Sequence, residues 1–215
     1  EAADILELLR EHVEGPLETL LELGSGGGNT ASHLKAHLRL TLADVAPRML
    51  DLSRGLNPEC EHVPGDMRSL RLGRRFDAVL VHDAIDYMVT VEDLRAAMAT
   101  AFAHLRPGGA AVFVPDHVRE AWEPRTDHGG HDGPDRALRY LEWEHDPDPG
   151  DTTTVTEFAI LLREADGSVR VRHDRHVTGL FPRATWLDLL RDVGFEATVS
   201  DFSWQRDVFV AQRPG

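Results

Sequence analysis

The chain has 215 residues, 41% of them hydrophobic, and a formal net charge of −14. This length suits one domain with a full core, and no apolar run approaches the roughly 20 residues of a membrane span. The acidic charge argues against nucleic acid as a partner, since binding to it depends on neutralising phosphates. The single cysteine, Cys60, excludes an internal disulfide, and its apolar neighbours predict a buried thiol. We therefore expect a cytoplasmic protein with neither a membrane nor a nucleic-acid partner.

The N-terminal half alternates between strand-like and helix-like patterns. A continuous apolar run such as residues 76–81 is typical of a strand buried on both faces of a parallel sheet. Apolar residues at helical spacing over residues 4–13 predict the first helix. The alternation predicts an α/β fold with a doubly wound, mostly parallel sheet. The predicted strands are 17–23, 39–43, 60–63, 76–81 and 110–114, and the predicted helices are 4–13, 30–38, 47–54 and 91–105.

The pattern changes in the C-terminal half. Residues 116–151 are rich in Gly, Pro, Asp and His and predict a loop, within which 139–145 is a candidate strand. Two long β-like runs, 153–163 and 169–178, flank Asp166-Gly167 and predict an antiparallel hairpin. The remaining predicted elements are a helix at 185–193, capped by Gly194, and a closing hairpin of 195–200 and 207–211.

A glycine-rich turn follows the first predicted strand. The sequence there is Leu21-Glu22-Leu23-Gly24-Ser25-Gly26-Gly27-Gly28. Glycine permits the positive φ angles of a tight turn and lets the backbone approach a ligand closely, as α/β proteins do when they hold an adenosine-containing cofactor. The third glycine of the dinucleotide fingerprint is replaced by Asn29. The alternative spacing Gly24-x-Gly26-x-Gly28, preceded by Glu22, is complete.

Four further motifs follow this turn in order. They are Asp44 with Pro47-Arg48-Met49-Leu50, then Gly65-Asp66-Met67, then Phe76-Asp77-Ala78-Val79, then Leu105-Arg106-Pro107-Gly108-Gly109. Together with the glycine turn, they resemble the class I S-adenosylmethionine-dependent methyltransferases over nearly the whole chain. The resemblance implies a Rossmann-like fold with a mostly parallel seven-stranded sheet, helices on both faces and an antiparallel hairpin cap inserted after the fifth strand. It also implies S-adenosyl-L-methionine as methyl donor, S-adenosyl-L-homocysteine as product, and in-line transfer to the nitrogen or oxygen of a small molecule.

The C-terminal half resembles, more loosely, enzymes that N-methylate amino sugars and related natural products. These share an inserted hairpin that covers the active site. On this resemblance the chain is one methyltransferase domain, residues 1–215. It comprises a cofactor-binding half (1–115), an inserted loop and cap (about 116–182) and a last helix with its closing hairpin (183–215). A homodimer is a further possibility.

The resemblance assigns most of the predicted cofactor-binding residues. Glu22 and the glycines 24, 26 and 28, with Ser25 between them, would hold the methionine part of the cofactor. Asp44 would accept hydrogen bonds from the ribose hydroxyls, or else only cap a helix. Val45 and Met49 would line the adenosine pocket, or else be core. Asp66, after Gly65, would accept from the adenine amino group with Met67 against the ring, or else be a turn residue.

The catalytic candidates come from the ends of the fourth and fifth strands. Ligands of parallel sheets bind at the carboxyl ends of the strands, so His82, Asp83 and Tyr87 should border the sulfonium and the acceptor. The alternative is that Asp83 and Asp86 only cap the next helix. His117 is a candidate general base, or else a loop histidine without a role.

Four other points remain open. His128, His131 and Asp132, with Asp135, could ligate a metal, but a polar loop without a fixed geometry favours no metal site. His173 and His176 lie on opposite faces of their strand, so only one can face the substrate cleft. The function could instead be that of a catalytically silent, regulatory cofactor-binding protein. A nicotinamide-dependent oxidoreductase is a weaker alternative, because Asn29 and the Pro107-Gly108-Gly109 turn argue against it.

Overall fold

The computed structural model describes residues 1–200 and 206–215, which form two β-sheets and five α-helices. Within these residues, none of the helices combines the length and hydropathy needed to cross a membrane. The helices are α1 (Ala2–His12), α2 (Asn29–Leu34), α3 (Pro47–Leu56), α4 (Val91–His104) and α5 (Arg183–Val193). The strands are β1 (Thr19–Leu23), β2 (Arg39–Asp44), β3 (Glu61–Pro64), β4 (Phe76–His82), β5 (Leu105–Val114), β6 (Arg125–Asp132), β7 (Ala137–His145), β8 (Thr153–Arg163), β9 (Val169–Gly179), β10 (Glu196–Ser200) and β11 (Val208–Gln212).

The larger sheet has seven strands in the order β10-β11-β5-β4-β1-β2-β3. Strands β1 to β5 pair in parallel, and β11 runs antiparallel to both β5 and β10. This confirms the predicted Rossmann-like, mostly parallel seven-stranded fold. The order reverses between β1 and β4, which places a crevice at the carboxyl ends of these central strands.

Helices cover both faces of this sheet, as predicted. Side chains of successive strand residues point to opposite faces, so Leu20 joins the apolar cluster under α1 and α2, while Leu21 joins the cluster under α4 and α5. Because both faces are buried, the central strands read as continuous apolar runs. The Cys60 thiol, predicted to be buried, is instead partly exposed at the edge of the first cluster.

Strand β5 differs from its prediction at its start. The segment 106–109, expected to be a turn before the strand, lies within β5, and the register with β4 slips between Phe76 and Ala78. Gly108 has φ +72°, a conformation that lets the extra residues loop out of the ladder. The Asp77 carboxylate stabilises this bulge, because it accepts hydrogen bonds from Thr19 Oγ1 at 2.8 Å and from Arg106 Nε at 2.6 Å.

The inserted cap is larger than the predicted hairpin. It is a four-stranded antiparallel sheet in the order β6-β7-β8-β9, which we call the cover sheet. The predicted hairpin strands are β8 and β9, and the candidate strand at 139–145 is β7. The prediction was wrong for β6, because His128-Gly129-Gly130-His131-Asp132 pairs with β7 over its whole length instead of forming a loop. An edge strand needs only backbone hydrogen bonds from its neighbour, so a polar, glycine-containing sequence can form one.

Candidate functional site

A cavity of about 920 Å³ lies between the carboxyl ends of β1, β2, β4 and β5 and the inner face of the cover sheet. Residues from both sheets line it, so its floor belongs to the Rossmann-like core and its roof to the insert. Thirteen of the predicted site residues lie in its wall: Glu22, Gly24, Ser25, Gly26, Asp44, Val45, Met49, Asp66, Met67, His82, Asp83, Tyr87 and His117.

Two predicted cofactor-binding residues, Gly28 and Gly65, do not line the cavity. A Cβ on Gly28 would overlap the side chains of Ser53 and Asn57 on and after α3, and one on Gly65 would lie 2.6 Å from Leu70 Cδ1. Gly28 also has φ +78° at the start of α2. Side-chain packing therefore requires glycine at both positions, and this requirement does not involve a ligand.

The cavity contains a buried acid with an unsatisfied oxygen. The Glu22 side chain is 3% exposed, and among the described residues its Oε2 has no hydrogen-bond partner. Burial, which deprives the carboxylate of water, raises the pKa of Glu22 to about 8. The neighbouring Ser25 hydroxyl is likewise buried without a partner in the described chain. Such groups are costly unless a ligand satisfies them.

Asp44 organises the glycine turn. Its Oδ2 accepts a hydrogen bond from the Gly26 amide at 2.8 Å, and its Oδ1 accepts one from the Ala46 amide at 2.8 Å. The carboxylate therefore holds the glycine turn and Ala46. Ala46 is the N-cap residue of α3, so Asp44 is not itself the helix cap that the alternative expected. Each carboxylate oxygen can still accept a further hydrogen bond, so this arrangement is compatible with the ribose role as well.

The predicted adenosine side of the cavity combines exposed apolar groups with an ion pair. Val45 and Met49 are 66% and 38% exposed, so they face the cavity and are not core. Asp66 pairs with Arg68 at 2.6 Å, which in turn lies 3.2 Å from Asp93. The hydrogen bond from Arg68 lowers the pKa of Asp66, so this carboxylate remains an acceptor at neutral pH.

His82 sits in an ionic network at the end of β4. Its ring nitrogens lie 2.8 Å from Glu1 Oε1 and 3.1 Å from Asp83 Oδ2. Burial acts to lower the pKa of His82, but the hydrogen bonds and charges of Asp83 and Glu1 outweigh it, so the pKa is raised. Both nitrogens therefore already have acidic partners. Asp83 itself has φ +51°, an unusual backbone for a residue other than glycine, and such strain is found at functional sites.

A second group of acids surrounds Arg206. The guanidinium lies 3.0 Å from both Asp83 and Asp116. The Asp86 Oδ2 accepts a hydrogen bond from the Asp116 amide at 2.8 Å, while within the described residues its Oδ1 has no partner. Burial and the charge of Asp116 raise the pKa of Asp86, and burial and the charge of Asp83 raise that of Asp116. Three carboxyl groups and one guanidinium therefore lie together beside the carboxyl ends of β4 and β5, the part of the cavity that we call the acceptor end.

The cover sheet contributes Glu144, which the sequence interpretation missed, and one of the two β9 histidines. The buried Glu144 accepts hydrogen bonds from Trp122 Nε1 at 2.6 Å and Arg125 Nε at 2.8 Å. The Tyr87 hydroxyl lies 2.7 Å from Nδ1 of His176, so His176 is the one of the two β9 histidines that faces the cavity. The alternation of inward- and outward-facing residues along each strand is the sequence signal that could have identified these residues. Most of the cover-sheet residues in the cavity wall are even-numbered residues of β7, β8 and β9, and the exceptions are Arg125 at the start of β6 and Gly179 at the end of β9. The even-numbered ones are Glu142, Glu144, Thr154, Thr156, Phe158, His176 and Thr178.

Comparison with known proteins agrees with this geometry. Residues 20–109 match the model of a methyltransferase domain. A dTDP-3-amino-3,4,6-trideoxy-alpha-D-glucopyranose N,N-dimethyltransferase of Streptomyces venezuelae is 31% identical over 194 residues, which cover 86% of this chain and 78% of the relative. The crystal structure of DesVI from Streptomyces venezuelae superposes with a TM-score of 0.90 and 26% identity, covering 100% of this chain and 91% of that one. CalS10, an amino pentose methyltransferase from Micromonospora echinaspora solved with bound S-adenosylmethionine, gives a TM-score of 0.87 and 27% identity, covering 99% of this chain and 89% of that one.

The Rossmann-like sheet, the glycine turn and the matched domain define a group-transferring enzyme of the α/β class. The chain belongs to the S-adenosylmethionine-dependent methyltransferases that act on small molecules. These findings do not support the nicotinamide-dependent or the catalytically silent alternative.

Proposed function

We propose that the methyl acceptor is the amino group of a nucleotide-linked amino sugar. The observation that carries this proposal is the similarity, over 78% of its length, to a relative named for that substrate class. The acceptor end of the cavity supports it, because the carboxyl groups of Asp83, Asp86 and Asp116 outnumber the Arg206 guanidinium there and favour an amine-bearing ligand over an anionic one. The cavity volume of about 920 Å³ is also large enough for a cofactor together with a substrate.

The residues at the glycine turn fit the cofactor. The unsatisfied Glu22 carboxyl group is suited to the amino group of the methionine part. The open space beside Gly26 leaves room for a ligand to approach the backbone, whereas the missing Cβ of Gly24 makes room for Ala84 and Met67. Asp44 would accept from the ribose hydroxyls. Asp66 would accept from the adenine amino group, with Val45, Met49 and Met67 against the ring. Once bound, S-adenosylmethionine supplies an electrophilic methyl group.

At the acceptor end, the chain's own residues would orient the amine and manage its proton. His82 and Asp83 form a charged wall near the end of β4, and we propose that they border the transfer site. Tyr87 and His117 present a hydroxyl and an imidazole to the same cavity. Positioning of two reactants supplies much of the rate, and an amine must also lose its proton before it can attack.

We further propose that the enzyme is a cytoplasmic homodimer. The support for two subunits is the outward face of the cover sheet, which exposes Leu141, Trp143, Leu161, Val169 and Val171. Exposed apolar groups clustered on one sheet face are typical of an interface. A cytoplasmic location is supported only by the single cysteine.

Mass spectrometry of the reaction products tests the acceptor. The purified protein would receive S-adenosylmethionine and dTDP-3-amino-3,4,6-trideoxy-α-D-glucopyranose, the substrate in the relative's name. The matched control is the same nucleotide sugar with a hydroxyl in place of the amine. We expect one and then two added methyl groups on the amino sugar and none on the control. Methylation of the hydroxyl compound instead would overturn the amine assignment, and no product with either would overturn the substrate class.

A further inference from the structure

The floor and the roof of the cavity meet through a pair of titratable side chains. Tyr87 lies in a 3-10 helix, Ala84–Tyr87, that follows β4, and His176 lies on β9 of the cover sheet. The Tyr87 hydroxyl is 2.7 Å from His176 Nδ1, and both residues line the cavity. The other ring nitrogen of His176, Nε2, lies 3.4 Å from Asp174 Oδ2. Asp174 is exposed and lies outside the cavity wall, so the three side chains lead from the cavity to solvent.

The surroundings fix the direction of the hydrogen bonds. Burial and the charges of Asp174, Asp116 and Asp86 raise the pKa of Tyr87, so its hydroxyl stays protonated at neutral pH. The Asp174 carboxylate only accepts hydrogen bonds, so a neutral His176 ring carries its hydrogen on Nε2, and Nδ1 then accepts the phenolic proton of Tyr87. On β8, Phe158 packs edge-on against the ring, with 5.4 Å between the ring centroids. The lone pairs of the Tyr87 oxygen remain available to an N–H group in the cavity.

We propose that Tyr87, His176 and Asp174 form a relay that removes the proton of the acceptor's ammonium group to solvent. This inference rests on the proposed amine acceptor. Tyr87 would be the catalytic residue, because its oxygen touches the ammonium. His176 and Asp174 act through it and are positioning residues.

The proton passes through the three side chains in order. An N–H bond of the ammonium breaks, its proton goes to the Tyr87 oxygen, and the phenolic proton moves to Nδ1 of His176. The resulting imidazolium is stabilised by Asp174 and releases its Nε2 proton to water. The amine is then neutral, and its lone pair forms the new N–C bond while the methyl carbon–sulfur electron pair stays with sulfur. The methylated nitrogen is again an ammonium. Before a second transfer the ring returns to its starting tautomer, by taking up a proton from water at Nε2 and losing the Nδ1 proton to water.

A pH series of kcat tests the relay. Tyr87→Phe removes the phenol and has a matched control in Tyr140→Phe, since the chain has two tyrosines and Tyr140 does not line the cavity. His176→Gln is matched by His173→Gln, because His173 is on the opposite face of β9 and lies 2.6 Å from Glu157. Asp174→Asn completes the set. The probe is the dTDP-linked amino sugar above, at saturating concentration.

We expect Tyr87→Phe and His176→Gln to lower kcat about 100-fold near pH 7, at the lower end of the usual range for a lost acid–base group. Asp174→Asn should lower it less, by about 3- to 10-fold, because that carboxylate is exposed. The losses of kcat relative to the wild type should become smaller as the pH rises, because the free amine then deprotonates in solution. Both control variants should match the wild type. Deficits that are independent of pH would overturn the relay, because a structural role predicts that result.

The tautomer of His176 provides a test without turnover. The ¹⁵N NMR spectra of the histidine-labelled protein are recorded at a pH at which the ring is neutral, and the His176 signals are assigned by their absence in His176→Gln. We expect the ring hydrogen on Nε2. A hydrogen on Nδ1 would overturn the direction of the relay. If instead the wild type and both controls fail together to methylate the amino sugar, the proposed function fails, and the NMR result separates that outcome from a failure of the relay.

Discussion

At the scale of single residues, Glu22 links the stability of the chain to ligand binding. A pKa of about 8 means that most of this carboxyl is protonated near pH 7 in the free protein. If it pairs with the amino group of the cofactor, it must ionise and release close to one proton per site. We expect this release when S-adenosylhomocysteine is titrated near pH 7 by calorimetry in buffers of different ionisation enthalpy, and almost none near pH 10. Glu22→Gln should abolish the release, and a wild type that releases no proton would contradict the assigned role.

The same residue should make folding stability depend on pH. Its folded-state pKa is raised from 4.5 to about 8, so its stabilising effect is complete below about pH 4.5 and is lost as the pH rises through about 8. Each pKa unit corresponds to about 1.4 kcal/mol, so the loss approaches several kcal/mol. We expect Glu22→Gln to have a higher melting temperature than the wild type near pH 9, measured by calorimetry. An unchanged difference between the two proteins from pH 5 to pH 9 would contradict the raised pKa.

Asp44 should be needed for cofactor affinity. Asp44→Ala removes the acceptor proposed for both ribose hydroxyls and also releases the Gly26 and Ala46 amides. Hydrogen bonds to a charged acceptor contribute about 1.5–3 kcal/mol each, so we expect the Kd for S-adenosylhomocysteine to rise at least tenfold. Asp51→Ala is the matched control, because Asp51 is exposed on α3 and pairs with Arg54. Equal affinities of the two variants would refute the ribose role.

At the scale of elements, two glycines of the same turn should have different roles, since Gly26 is open to a ligand and Gly28 is packed against other side chains. Gly26 has φ +53° and open space around its missing Cβ, with Met49 Cε at 3.7 Å, whereas Gly28 is closed in by Ser53 and Asn57. We expect Gly26→Val to abolish S-adenosylhomocysteine binding and to leave the fold largely intact, at the cost of backbone strain on the order of 1–2 kcal/mol. Gly28→Ala should instead lower the melting temperature more strongly, because α2 and α3 must move apart. Thermal denaturation and calorimetry of both variants check this, and retained binding in Gly26→Val would place the cofactor elsewhere.

The elements also show what the sequence could predict. Strands β1, β2, β4 and β5 were evident because strands that are buried on both faces require apolar runs, and their polar ends identified the cavity floor. Strand β6 was missed, since an edge strand is held by backbone hydrogen bonds and leaves no side-chain pattern. Glu144 was missed as a site residue, and the choice between His173 and His176 stayed open, for a related reason. Their role depends on which face of the cover sheet turns inward, and that is decided by how the insert packs onto the core.

At the scale of the whole molecule, the cover sheet has two faces of different chemistry, and the outward one should set the oligomeric state. Its exposed Leu161 and Val171 pair across β8 and β9, and a two-fold axis through this face would bury both copies of each. The net charge of −14 on each chain opposes such association. Salt weakens this repulsion, because at 0.1 M charges more than about 10 Å apart are largely screened from each other. We therefore expect light scattering to show a dimer whose Kd falls as the salt concentration rises. Leu161→Asp should give a monomer, whereas Leu52→Asp, which places the same charge at an exposed site on α3, should not. A wild type that stays monomeric at every salt concentration would show that the outward face is an ordinary solvent surface.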